Sequence, residues 1–224
     1  MIVACAADKR EGYCWDLQAA VEEVGLEFHF EKMAPFSWAR MVEWELDFCR
    51  TTPYEKVCFV DANDFLMLGS ATELSELLQD QDVLLHSDAH CWPEPHKADL
   101  YPDAFSPYRY VNGTGPAGSV DAIADLIEFG QYAFPIRGRE SSIFADNDQR
   151  FWTDIYLSDY WIGKHVVTLD TSCKLALPLN CTSRADFDVV GRRVITYPGG
   201  VMPIFLHANG ASKYDYADIL EKLR

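Results

Sequence analysis

The chain has 224 residues, of which 35 are acidic and 19 basic, for a formal net charge of −16. A surplus of that size excludes the broad basic footprint of a nucleic-acid coat or a membrane-surface protein. With 49% apolar residues and 13% aromatics the chain can bury a substantial core, and a single domain over residues 1–224 is expected. No stretch approaches the roughly 20 apolar residues that a membrane-spanning helix needs, and the opening MIVACAA reads as a first strand rather than a signal peptide. Seven cysteines, an odd count with no CxxC pair, favour reduced thiols in a cytoplasmic protein over a disulfide framework.

In chain order, residues 2–6 form a short apolar strand, 14–24 carry helical periodicity and 26–30 are strand-like behind Gly25, a βαβ opening that favours parallel pairing. Residues 36–50 place Trp38, Met41, Val42, Glu45 and Leu46 at helical spacing and stop before Pro53. The run KVCFVD at 56–61 is a buried strand ending in acid. A short helix at 71–78 and a strand at 83–86 follow, and then a Pro-, His- and Asp-rich segment at 87–107 reads as a long functional loop. Residues 108–118 read as a strand followed by a Gly-rich turn, 120–129 as a helix and 130–146 as a mobile loop. A helix at 148–157, strands at 166–169 and 204–207, and a last helix from residue 214 complete the pattern.

Three clusters carry chemistry. Asp61 and Asp64 stand three residues apart where a buried strand ends, the end at which ligands sit in open α/β sheets. Two carboxylates there fit a shared hard divalent cation, although an Asx turn with a helix cap explains the same letters. Asp146-Asn147-Asp148-Gln149 fits either a capped helix N-terminus or groups facing a polar substrate. His207, closing the apolar run 201–206, is either a metal ligand or a structural histidine, and Lys213 offers a point charge to a phosphate. The glycines of Asn112-Gly113-Thr114-Gly115-Pro116 lack dinucleotide or P-loop spacing. His86, Asp88 and His90 lie too close together along the chain for a structural zinc site.

Read in order, several segments resemble the glycosyltransferase domain of the procollagen lysyl hydroxylase and collagen glucosyltransferase family. They are Gly12-Tyr13, FVDANDFLMLGSATEL, the 87–93 loop ending Cys-Trp-Pro, Tyr101-Pro102 and YRYVNGTGPAG, followed by DNDQRFWTDIYL, Leu169-Asp170, Leu179-Asn180 and PIFLHANGASK. The resemblance implies a GT-A fold, a Rossmann-like mixed α/β sheet flanked by helices, using a UDP-sugar and a divalent metal, Mn²⁺ or Mg²⁺. It assigns the metal to Asp61, Asp64 and His207, and places Asn209, Gly210 and Lys213 around the diphosphate and sugar. Ala6 and Asn112 join the donor-binding set, with Trp38 stacking on uracil and Arg40 replacing a family lysine. Asn147 and Asp148 match the family's acidic catalytic segment, Asn147 standing where the family often has Asp, and Asp88 substitutes for a glutamate of the 87–93 loop.

These assignments imply hexose transfer from a UDP-sugar to an acceptor hydroxyl on a protein, a sugar or a modified base, with Asp148, or else Asp88 or Asp170, handling the acceptor proton. The chain is expected to be a free-standing transferase without hydroxylase domains, of viral or bacterial origin. Two further readings stand beside it: a viral-type transferase acting on hydroxymethylated DNA through a strip of Arg137, Arg139, Arg150, Arg192 and Arg193, and a non-catalytic nucleotide-sugar-binding module. A metal-dependent hydrolase using the same carboxylates is a third.

Overall fold

The computed structural model describes residues 1–134 and 147–223. Its first five elements follow the pattern expected from sequence: β1 (Ile2–Ala7), α1 (Cys14–Glu23), β2 (Glu27–Lys32), α2 (Trp38–Thr51) and β3 (Lys56–Phe59). β1 is buried along its whole length and pairs parallel with β2 on one side and β3 on the other. Because successive strand residues point to opposite faces, Ile2, Ala4, Val57 and Phe59 enter one core while Val3, Cys5, Cys58 and Val60 enter the other. Both faces are covered, which explains why β3 reads as a near-continuous apolar run.

α2 starts where the Ser37 hydroxyl accepts the Arg40 N–H at 3.2 Å, and buries Ala39, Val42, Glu45, Leu46 and Cys49 against the sheet. β4 (Phe65–Met67) leads into α3 (Ala71–Leu77), which opens with a reciprocal Ser70–Glu73 capping box. Next come β5 (Val83–Leu85), β6 (Ser87–Asp88), β7 (Tyr110–Val111), β8 (Ala117–Ser119), α4 (Val120–Ala133), α5 (Asp148–Leu157) and β9 (Val167–Leu169). The main sheet has the order β2-β1-β3-β8-β5-β9, with β8 antiparallel to both neighbours, so the sheet is mixed as expected. α2, α4 and α5 pack on one face, where Trp152 and Phe59 are among the largest fully buried side chains.

The structure corrects several boundaries. The expected Gly-rich turn ends in β8, an interior strand of the sheet. There Gly118 has φ +150°, and a Cβ would lie 2.1 Å from the Asp82 carbonyl oxygen. α4 runs on to Ala133 instead of stopping at residue 129. Residues 135–146, with Arg137, Arg139, Asp146 and most of the expected mobile loop, lie outside the described residues. The C-terminal part holds strands that the sequence reading does not include: β10 (Ala176–Pro178) and the hairpin β11 (Phe187–Val190) with β12 (Arg193–Thr196). β13 (Phe205–His207) follows, and the last helix is broken at Tyr216 into α6 (Ser212–Asp215) and α7 (Ala217–Leu223). Among the described residues no helix is long and apolar enough to cross a membrane.

A second sheet, β10-β13-β4, is what builds the site. β13 runs antiparallel to β4 with His207 opposite Phe65, and the Ala208 N–H donates to the Asp64 carbonyl at 2.7 Å. That register sets Asp64, just ahead of β4, beside the histidine that ends β13.

Candidate metal and donor site

Asp61, two residues beyond β3, lies with its Oδ2 3.1 Å from His207 Nε2, and Asp64 Oδ1 is 3.7 Å from the same nitrogen. One ligand atom from each of the three residues falls within 4.8 Å of the others. His207 is 4% exposed, its ring 4.3 Å from that of Phe65. Asp64 Oδ1 is buried without a hydrogen-bond partner, a costly arrangement unless a ligand completes it. Burial, helped by the Asp61 charge and opposed by His207, pushes the Asp64 carboxyl up to about 6. Burial also acts on Asp61, but the His207 hydrogen bond and the Thr114 hydroxyl outweigh it and hold that carboxyl below its ordinary value. For His207 burial opposes the proton, yet the Asp61 hydrogen bond and the charges of Asp64, Asp61 and Asp88 keep its affinity raised. Two carboxylates and an imidazole, with one oxygen left unpartnered, are a donor set that fits a hard divalent cation.

A hydrogen-bonded chain leads away from these residues. Thr114 Oγ1 lies 2.9 Å from both Asp61 Oδ2 and Asn112 Oδ1. Its single proton goes to the charged acceptor, Asp61, and Asn112 Oδ1 is satisfied by the Thr114 N–H at 3.0 Å. Asn112 Nδ2 in turn donates to Asp88 Oδ2 at 3.0 Å. Asp88 Oδ1 then accepts from the His90 N–H at 3.0 Å and from the Cys181 thiol at 2.8 Å. Burial and Asp88 push that thiol up to about 12. Asp61, Thr114, Asn112, Asp88 and His90 border a cavity of 560 Å³ that also takes in Trp38, Trp92, Asp148, Asn209 and Gly210.

With the geometry in place, the comparisons with known proteins decide the family. The PLOD GT domain family matches residues 40–221. The chain belongs to this family. It is 29% identical over 164 residues to the human multifunctional procollagen lysine hydroxylase and glycosyltransferase LH3, an alignment covering 70% of this chain and 21% of that protein. It is 27% identical over 158 residues to protein R699 of Acanthamoeba polyphaga mimivirus, covering 68% of this chain and 31% of the other. The chain therefore spans between about a fifth and a third of the length of these relatives. A solved glycosyltransferase involved in glycosylation of the major capsid of PBCV-1 superposes with a TM-score of 0.55 at 13% identity, covering 97% of this chain and all of that one. That likeness concerns the fold, which is GT-A-like. On its family the domain is a glycosyltransferase, and thus an enzyme.

Of the residues singled out by sequence, the structure brings Asp61, Asp64, His207, Asp88, Asn112, Asn147, Asp148, Trp38, Asn209 and Gly210 to one cavity of this glycosyltransferase domain. Asn147 caps α5, its Oδ1 accepting the Arg150 N–H at 3.1 Å. Asp148 accepts the Gln149 N–H at 2.8 Å, and burial together with the Asp61 charge pushes its carboxyl well up. The capping and substrate-facing readings of this segment thus fall on different residues. Asn209 Oδ1 accepts the Asn180 N–H at 3.0 Å, which ties the two cavity loops together.

Four assignments are not brought to the cavity. Arg40 turns to the Pro35 carbonyl and lines a separate hollow with Glu31, Glu43 and Asp47. Ala6 is buried against Met33 and Met41. Lys213 is exposed, with Nζ 5.8 Å from the Tyr214 ring centre, and reaches the site only through its charge, which lowers the Asp64 carboxyl. Asp170 is occupied by backbone N–H groups of Lys174 and Leu175 at 3.0 and 2.7 Å, a loop-holding role.

Sequence reasoning gave no site role to Thr114 or Cys181, whose partners lie far away in the chain, and noted Trp92 only as part of the 87–93 loop. It also passed over a legible signal: Glu45, an acid on the buried stripe of α2. Glu45 is 2% exposed beneath Gly115, with Oε2 unpartnered, and burial followed by the charges of Asp148 and Asp61 pushes its carboxyl well up. The arginines assigned to a basic strip are paired where they are described. Arg150 faces Glu94 at 3.4 Å, Arg192 faces Glu23 at 3.6 Å, and Arg193 grips Glu73 through both Nη atoms at 3.1 and 2.8 Å.

Proposed function

We propose that this domain transfers a hexose, glucose or galactose, from a UDP-sugar to an acceptor hydroxyl of hydroxylysine type, with Mn²⁺ or Mg²⁺ held by Asp61, Asp64 and His207. The observation that carries the reading is the convergence of these three residues from two sheets, with Asp64 Oδ1 buried and unpartnered at the wall of a 560 Å³ cavity. A cation held there supplies charge stabilisation for the departing diphosphate. Thr114 fixes the rotamer of Asp61 for that task. Trp38, 38% exposed at the rim, offers a flat face to the uracil ring, and Asn209 and Gly210 approach the diphosphate and sugar. Lys213 adds a positive charge from outside the cavity.

Asp148 positions the acceptor hydroxyl. Its carboxyl is pushed up partly by the Asp61 charge, so compensating that charge lowers it and frees the carboxylate to accept the hydroxyl proton as the new bond forms. Asp88 is spoken for by Asn112, His90 and Cys181, which makes it the weaker candidate for this role. The glutamate partners of Arg150, Arg192 and Arg193 speak against a DNA groove. The reading takes residues 1–224 as a single transferase domain, supported by the family match over 40–221. It takes the setting as cytoplasmic, supported by the unpaired cysteine count.

The test is UDP-sugar turnover by Asp61→Ala, Asp64→Ala and His207→Ala with Mn²⁺ or with chelator. Each variant is expected to lose at least a hundredfold in kcat, and full activity of any one in chelator sinks its assigned role. Transfer to hydroxylysine peptide, free sugars and hydroxymethylated DNA, run side by side, separates the acceptor classes. Tight UDP-sugar binding with no turnover on any acceptor supports the non-catalytic module instead, and phosphate release independent of UDP supports a hydrolase.

A further inference from the structure

Asp88, His90 and Cys181 form a second cluster of ligating atoms, distinct from Asp61, Asp64 and His207, and the hexose-transfer reading does not use it as a unit. Cys181 Sγ is 2.8 Å from Asp88 Oδ1 and 3.0 Å from His90 Nδ1, and the three ligating atoms fall within 4.8 Å of one another. We propose that Asp88, His90 and Cys181 bind a thiophilic divalent cation of the Zn²⁺ class at the edge of the donor cavity.

Three features carry the inference. First, the donor set is sulfur, imidazole nitrogen and carboxylate oxygen, whereas the Asp61 site offers oxygen and imidazole alone. Thiolate donors select zinc-like ions, and carboxylate sites with open positions select Mg²⁺ or Mn²⁺. The two sites are therefore chemically orthogonal.

Second, the atoms are held in readiness. Asp88 is 6% exposed and its other oxygen is fixed by Asn112 at 3.0 Å, the kind of outer partner that orients a metal-bound carboxylate. Cys181 ends a short 3₁₀ turn, Leu179–Cys181, while Asp88 and His90 sit at and just beyond β6, so elements 91 and 93 residues apart aim at one point. Zinc-ligand distances of about 2.0–2.3 Å put tetrahedral ligand atoms roughly 3.3–3.6 Å apart. The contacts of 2.8 and 3.0 Å need to open by roughly 0.5–0.7 Å to admit an ion.

Third, charge and coordination close. Binding breaks the Cys181 S–H bond, releases the proton to solvent and forms a metal–sulfur bond. The resulting thiolate and the Asp88 carboxylate balance a dication. Three protein ligands leave a fourth position for water or a further ligand, and Asp88 and His90 both line the cavity with Trp92. The sequence argument against zinc considered only ligands close together in the chain, and the third ligand is remote.

Cobalt(II) tests this directly, because only a thiolate ligand gives an intense sulfur-to-cobalt charge-transfer absorption. Titrating the full chain, stripped of metal, should produce that band with one equivalent of Co²⁺. Zn²⁺ should abolish it, and excess Mn²⁺ should leave it intact. Cys181→Ser and Cys181→Ala should remove the band, while His90→Ala, a change at an exposed side chain, should weaken Co²⁺ binding at least tenfold. Cys91→Ser and Asp64→Ala should retain it, Asp64→Ala showing independence from the first site. Absence of the band in folded wild type, its survival in both Cys181 variants, unchanged affinity in His90→Ala, or its loss in Asp64→Ala or Cys91→Ser would each overturn the proposal. Thermal melts of every variant without metal confirm that a lost band does not reflect a lost fold.

Discussion

Replacing Asp64 by asparagine should make the metal-free protein more stable at neutral pH and at the same time remove its response to Mn²⁺. In the folded chain the Asp64 carboxyl sits at about 6 against an ordinary 3.8, a gap worth about 3 kcal/mol at about 1.36 kcal/mol per pH unit. The folded state holds this proton more tightly than the unfolded state. Stability from Asp64 is therefore intact below pH 3.8 and declines as pH rises through 6, after which the buried carboxylate is a standing cost. The asparagine amide cannot ionise and escapes that cost. At about 2–4 °C per kcal/mol for a chain of this size, metal-free Asp64→Asn should melt roughly 6–12 °C above wild type at pH 7.5 and level with it near pH 3.5. Adding Mn²⁺ at a hundred times its Kd should stabilise wild type by about 2.7 kcal/mol and the variant hardly at all, so the gap between them should close almost entirely. Differential scanning fluorimetry with chelator and with Mn²⁺ at the two pH values reads all four states. The reasoning fails if metal-free Asp64→Asn is no more stable than wild type at pH 7.5, or if both respond equally to Mn²⁺.

Thr114→Val removes the hydroxyl that donates to Asp61 at 2.9 Å. Mn²⁺ affinity, followed by titration calorimetry, should fall about 10–100-fold, and an unchanged Kd would show that Asp61 needs no such support. Gly115→Ala places a Cβ 2.1 Å from Glu45 Oε1; overpacking of this kind costs about 1–3 kcal/mol. Adding Glu45→Ala should recover part of the loss, a coupling that a double-mutant cycle measures. Because burial raises the Glu45 carboxyl, its contribution is also lost as pH rises. Glu45→Gln should thus gain on wild type at pH 8 more than at pH 5 in the same melts, and a constant difference would contradict the raised carboxyl.

The elements that could be read from sequence are those whose own residues determine them. β1 and β3 are apolar runs buried on both faces, α2 has a Ser37 cap and an inward stripe, and α3 has its capping box. β8 is different: Ala117–Ser119 has little strand propensity, and its conformation is imposed by β3 and β5 on either side, a position that the missing side chain of Gly118 permits. β10 is three residues ending in Pro178 and shows no period. The β11–β12 hairpin was legible, since apolar alternation flanks a two-residue connection at Gly191 with φ +62°.

The site divides along the same line. Asp61 and Asp64 were visible as a pair, but two carboxylates after a strand fit a turn as well as a cation. What adds His207 to the pair is the antiparallel register of β13 on β4, a contact between segments about 140 residues apart that no local pattern encodes. The same holds more strongly for Cys181, whose neighbours Asp88 and His90 are 93 and 91 residues away.

The acidic surplus of the chain takes on a specific meaning at this cavity. Asp61, Asp64, Asp88 and Asp148 line it and Glu45 lies beneath it, and burial or neighbouring charge pushes Asp64, Asp148 and Glu45 upward. Without a cation the cheapest way to relieve this crowding is to retain protons, and a proton on His207 beside Asp61 and Asp64 serves the same end. On the proposed reading, a divalent ion held by Asp61, Asp64 and His207 would supply that positive charge in a form that also leaves the carboxylates free to act. Asp148, Asp64 and Glu45 would all gain, since the Asp61 charge is among the causes raising each of them. If Asp148 handles the acceptor as proposed, metal binding and the readiness of that carboxylate are coupled through the Asp61 charge. Activity should then depend on Mn²⁺ even with an acceptor whose hydroxyl never touches the ion, and Asp148→Asn should abolish turnover while leaving Mn²⁺ affinity equal or higher.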